Sequence, residues 1–140
     1  MSISTYIPDD TKIIHKTKVD FRARLNNNTI NLVQYDRVIP VLAIELYSNN
    51  NKYVLPDDAN LEGKIRWGRT KTNQHVKDIL GCNADRDVIY VTVDQDMTDI
   101  HGSYDAIIEL VVPVNNTYNR MGSSPIKIVV DANPVQEMEA

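Results

Sequence analysis

Between Val93 and Leu110 the chain reads VDQDMTDIHGSYDAIIEL, which sets Asp94, Asp96, Asp99 and His101 directly ahead of a hydrophobic run. Closely spaced carboxylates beside an imidazole suit two kinds of chemistry: oxygen ligation of a hard cation such as calcium, and proton transfer between an acid and a base. A calcium loop of the helix-loop-helix type needs oxygen donors at alternate positions and a glycine at the sixth. Counted from Asp94, the sixth residue is Asp99, so the glycine requirement fails. A looser oxygen-rich site built from Asp94, Asp96 and Asp99 is the remaining metal reading. Acid–base work by His101 beside Asp99 would need further groups. No Ser or Cys stands in a nucleophile motif, and His15 and His75 lie in unrelated segments. A plainer account covers more residues. Asp99 to Gly102 is a turn, Gly102 supplies backbone angles that other residues avoid, and Tyr104 opens a strand by burying its ring, its hydroxyl free for a tyrosine corner. On that account the chain has no catalytic, cofactor-binding or metal-ligating residue and uses no cofactor.

Other residue types support few alternatives. Gly63, Gly68, Gly81, Gly102 and Gly122 never form a phosphate-cradling loop ahead of a helix. Cys82 is alone, which rules out an intramolecular disulfide and any cysteine-based zinc motif. Tyr6, Tyr35, Tyr47, Tyr53 and Tyr118, read as exposed rings, give a second functional reading: a carbohydrate-binding module, assisted by calcium at Asp94, Asp96 and Asp99. The formal net charge of -4 argues against a nucleic-acid partner. Lys12, Lys16, Lys18, Arg22 and Arg24 do form a basic stretch, but Asp20 interrupts it and the spacing is that of a solvated strand face. There is no apolar stretch near about 18 residues and no basic-then-apolar start, so neither a membrane span nor a signal peptide is visible. Synthesis in a cytoplasm is the expectation, and the glycosylation patterns at Asn27-Asn28-Thr29 and Asn115-Asn116-Thr117 then carry no chemistry.

The elements that must position these residues are mostly strands. Ile13, His15, Thr17, Val19, Phe21, Ala23 and Leu25 alternate with Ile14, Lys16, Lys18, Asp20, Arg22 and Arg24, a half-buried strand that Asn26-Asn27-Asn28 should turn into a hairpin with Thr29 to Val33. Arg37 to Ser48 is apolar on both faces up to Ile44, as in a central strand, and Pro40 must then sit at its start, a bulge or an open edge. Ser48 to Tyr53 is a tight connection into a short strand, Lys52 to Leu55, and PDDAN makes another turn. In Gly63 to Gly68, Ile65 and Trp67 point one way, with Trp67 a core anchor. Residues 68 to 87 break the strand pattern, and Val76, Ile79 and Leu80 fall at helical spacing. Val88 to Val93, Tyr104 to Val114 and Ile126 to Asp131 are further strands. In the second of these, Tyr104, Ala106, Ile108, Leu110 and Val112 share one face, and Asp105 and Glu109 the other. The whole predicts an all-β, immunoglobulin-like antiparallel β-sandwich of about seven to nine strands, one domain over residues 1–134, with 135–140 a tail or the start of a linker.

Three short signatures stand in order along this pattern: Gln34 with Asp36, Leu46 to Asn49 ending a strand, and Gly102 to Tyr104 opening a late one. Through them, and over about residues 12 to 134, the chain resembles the N-terminal domain of the phage baseplate upper protein family. That resemblance implies a non-enzymatic virion structural protein. It implies an immunoglobulin-like sandwich that docks onto the tail baseplate core and links it to receptor-binding parts, with other tail or baseplate proteins as partners and homo-oligomers as a further expectation. It supplies no catalytic residue. The charged face of Lys16, Lys18, Arg22 and Arg24, and the tail after Asn133, are the candidate contact surfaces.

Overall fold

Period-two alternation over most of the chain produces two sheets that face each other across one apolar core. The computed structural model describes residues 3–25, 28–57, 60–70, 72–114 and 117–133. One sheet runs in the order β1 (Ile13–Asp20), β3 (Pro40–Ser48), β8 (Val88–Thr92), β7 (Gly81–Cys82), with β4 (Asn51–Lys52) added to β3. The other runs β2 (Thr29–Val33), β11 (Ile126–Asp131), β9 (Gly102–Val114), β5 (Glu62–Thr70), β6 (Asn73–Asp78), with β10 (Thr117–Gly122) on β9. A single helical turn, α1 (Gln95–Thr98), leads from β8 to β9. Leu42, Ile44 and Leu46 of β3 and Ile89 and Val91 of β8 meet Ile65 and Trp67 of β5 and Ile108 and Leu110 of β9 in the core. Each such side chain contributes about 1.5–3 kcal/mol relative to leaving it in water, so burial of these facing stripes is what joins the two layers.

The all-β sandwich is therefore as the alternation implies, with Trp67 and Tyr104 buried and Pro40 at the first position of β3. Its pairing differs. The sheets are mixed, because β1 lies parallel to β3 and β2 parallel to β11. The described residues form 11 strands, two of which, β4 and β7, have only two residues each. The expected β1–β2 hairpin does not form: the two strands belong to different sheets. The reason is local. The Asp20 carboxylate accepts from the amides of Arg22 and Ala23, at 2.7 Å each, which bends the chain away from its own sheet before Asn28 is reached. The expected turn centres at residues 26–27 and 58–59 and the tail at 135–140 lie outside the described residues.

The helical spacing of Val76, Ile79 and Leu80 also yields to pairing. Asn73–Asp78 is a strand, antiparallel to β5, and only Ile79 of the three packs against the core. An open β5 edge offers a row of backbone partners, and that outweighs a weak helical pattern. The short strand placed at Lys52 to Leu55 instead spans Asn51–Lys52. It follows Asn49 and Asn50, whose φ values of 53° and 71° give the left-handed pair that a two-residue hairpin needs.

Candidate functional site

The acidic segment folds into a turn held from several sides. Asp94 precedes α1 but does not cap it; its carboxylate pairs with Lys77 Nζ at 2.9 Å. Burial pushes the Lys77 ammonium below its ordinary pKa while Asp94 pushes it back up, and the ammonium also donates to the Thr92 carbonyl. Lys77 thus ties β6 of one sheet to the end of β8 in the other. Asp96 projects from the first turn of α1 into solvent, and Asp99 and His101 are exposed as well. The three aspartates are thus not gathered, and among the described residues no group of three or more His, Cys, Asp or Glu is placed to hold a metal ion.

What converges on this turn is a set of structural bonds. Tyr104 is 4% exposed and its hydroxyl donates to the Met97 carbonyl at 2.9 Å, the tyrosine-corner geometry anticipated for it. Burial pushes the Tyr104 phenol up, while the Arg69 guanidinium, 4.8 Å over the ring, acts in the opposite sense. Gln34 Nε2 donates to the Asp99 carbonyl at 3.0 Å, and Thr98 Oγ1 donates to the Asp36 carbonyl at 2.6 Å. Gly102, at φ 124°, takes the backbone angle for which the sequence placed a glycine there. Two of the three sequence signatures, Gln34 with Asp36 and Gly102 to Tyr104, thus meet at the same turn. They latch the α1 turn to the end of β2 and the start of β9.

The tyrosines do not make an open aromatic platform. Tyr6, Tyr35, Tyr47 and Tyr53 are half-buried. Tyr6 packs on Tyr90 with ring centroids 5.5 Å apart, Tyr53 on Phe21 at 5.4 Å, and the Tyr47 hydroxyl donates to Glu45 at 3.0 Å. The side chain of Tyr118 lies outside the described residues. The carbohydrate reading presupposed exposed rings and a calcium grip at Asp94, Asp96 and Asp99, and neither premise describes these side chains.

The basic stretch holds a determinant that its sequence alone conceals. Lys16, Lys18, Arg22 and Arg24 are exposed, as a solvated face requires, but Asp20 is 1% exposed. Its carboxylate accepts four backbone N–H groups, from Arg22 and Ala23 at 2.7 Å each, Asn49 at 2.9 Å and Asn50 at 2.8 Å. Burial raises the Asp20 carboxyl, yet these four donors outweigh it and bring the pKa down from 3.8 to about 2. The Asp20 amide also donates to Ser124 Oγ and the Asp20 carbonyl accepts from the Ser124 amide, so one carboxylate and its own peptide groups fasten β1, the β3–β4 hairpin and the approach to β11. The third sequence signature, Leu46 to Asn49, ends on this clamp.

No helix of the described chain is long and apolar enough to cross a membrane. No protein-family model matches the chain, and no curated protein matches it in sequence. Among solved structures it is similar to the N-terminal domain of phage TP901-1 ORF48, with a TM-score of 0.66 and 9% sequence identity. The match covers 84% of this chain and 98% of that one. At this identity the likeness is one of fold.

Proposed function

We propose that the chain is a non-enzymatic structural component of a phage tail baseplate, docking to the baseplate core and linking it to receptor-binding parts. The observation that carries this reading is the fold shared with the N-terminal domain of phage TP901-1 ORF48 across nearly that whole domain. A shared fold does not dictate a role, so the reading leans equally on the site. Of the residues with the greatest chemical promise, Asp94 is held in an ion pair with Lys77 and Asp96, Asp99 and His101 are exposed, whereas the backbone of the turn and its neighbours are locked by Gln34, Thr98 and Tyr104. That arrangement suits a stiff part. In an assembly of many copies, modest contacts on such a part add up to firm attachment.

The test is direct binding. The purified chain, mixed with the tail proteins encoded beside its gene, should elute with one of them as a stoichiometric complex in size-exclusion chromatography. Elution alone with every tail protein, together with a melting temperature that rises on adding sugar or calcium, would overturn the reading in favour of a ligand-binding module.

A further inference from the structure

In β1 the direction of each peptide unit can be read from its bonds. Ile13 N donates to Ile39 O at 3.0 Å and Phe21 N to Tyr47 O at 2.9 Å, so the odd-numbered residues face β3. The even-numbered ones face outward. Two of them are capped by side chains: Asn28 bonds both the amide and the carbonyl of Lys18, and Ser124 Oγ accepts from the Asp20 amide at 3.1 Å. Among the described residues, the outward amides and carbonyls of Ile14 and Lys16 have no such cap. The open edge is therefore short and sharply bounded.

Its surroundings are shaped. On the outer face of the sheet, Pro8, Ile14, Ala43, Val88 and Tyr90 line a mostly apolar hollow of about 340 Å³. Along the edge itself Lys16, Thr17, Lys18, Asn28 and Thr29 line a trough of about 290 Å³, and Lys16 and Glu45 border both. Lys12, Lys16 and Lys18 make the edge basic in a chain whose formal net charge is -4. Glu45 is itself engaged by the Tyr47 hydroxyl. An added strand would lie about 4.8 Å from β1, with alternate side chains beside Ile14 and Lys16 on the outer face.

We propose that the uncapped edge of β1 at Ile14 and Lys16 takes up an extended segment of a partner protein as an added strand, with an apolar side chain over the Ile14–Tyr90 hollow and carboxylates against Lys16 and Lys18. This rests on the baseplate reading and names the chemistry of the partner it requires. A second copy of the chain is the wrong occupant, because two β1 edges paired together set lysines against lysines. The mode is strand addition, in which backbone bonds hold the segment and alternate side chains select it.

Amide exchange followed by NMR tests this. In the free chain the Ile14 and Lys16 amides should exchange fast while those of Ile13 and His15 are slow. An acetylated peptide alternating Val-Thr-Glu-Thr, at millimolar concentration, should slow Ile14 and Lys16 at least about tenfold, and the same peptide with Lys for Glu should not. K16E should weaken the acidic peptide by about tenfold, equivalent to about 1.4 kcal/mol. K16P should abolish binding by removing the outward amide, with K16E as the informative variant if the proline prevents folding. Protected Ile14 and Lys16 amides in the free chain, equal effects of both peptides, or a wild-type dimer abolished by K16P would overturn the proposal. If the chain binds its tail partner and K16E binds equally well, the docking edge fails while the structural role stands. If no tail protein binds but the acidic peptide protects the edge, the edge stands and the structural role falls.

Discussion

Replacing Asp20 with Asn removes a charge without changing shape, and the arrangement of donors around it sets the cost. Oδ1 accepts from Arg22, Ala23 and Asn49, and Oδ2 from Asn50. An amide that keeps its oxygen at the first position must turn an N–H₂ group toward the Asn50 amide, leaving one donor facing another. The carboxyl pKa, 3.8 in the unfolded chain and about 2 in the folded one, gives the size of the effect. At about 1.4 kcal/mol per unit, and with some allowance for solvent screening near the surface, it corresponds to about 2 kcal/mol. The sign is that of a folded pKa that is depressed. The stabilisation is fully present above about pH 4 and is lost as pH falls through 2. Urea unfolding of the wild type and D20N across pH 2 to 7 isolates this term, since every other carboxylate cancels in the difference. The gap should be about 2 kcal/mol at pH 7 and close towards zero at pH 2. No gap at pH 7, or one that stays constant with pH, would refute the clamp.

Tyr104→Phe removes the bond to the Met97 carbonyl while keeping the buried ring, and should cost about 1 kcal/mol in urea unfolding with little change in fold. Arg86 donates to the carbonyls of Ile3, Leu55 and Pro56, so R86A should destabilise by about 2 kcal/mol and make the segment before β1 more sensitive to limited proteolysis. Val38 holds a left-handed φ of 70° while exposed, an arrangement a β-branched residue adopts only under strain; V38G should raise the melting temperature, or at least leave it unchanged. Millimolar calcium should leave the melting temperature unmoved, because Asp94 is paired with Lys77 and stands apart from Asp96 and Asp99.

The legible part of the fold was the part with two-sided contrast. β5 buries one face and leaves the other half-exposed, and β9 alternates likewise from Gly102 to Ile108 before both its faces close over at Glu109 to Val111, so Trp67, Ile65, Tyr104 and Ile108 announce their orientation through alternation alone. β3 announces itself by being apolar on both faces, with Pro40 confined to its start. β6 has no such contrast. It is an edge strand wet on most of its length, and the spacing of Val76, Ile79 and Leu80 imitates a helix by coincidence. The parallel pairings were equally hidden, since they join segments far apart in the chain and leave no turn signal between them. Of the candidate site, the turn at Asp99 to Gly102 and the role of Tyr104 were visible locally. The clamp at Asp20 was visible only as an acid interrupting a run of lysines and arginines. Its meaning depends on Asn49, Asn50 and Ser124, which only the folded chain brings to it.

The proposed place of this chain in a virion can be seen by labelling. Phage particles assembled with an epitope-tagged copy of this chain, decorated with gold-conjugated antibody and imaged by electron microscopy, should carry gold at the distal end of the tail. Particles that lack the tagged chain, or that carry the gold only on the capsid, would rule out a baseplate role.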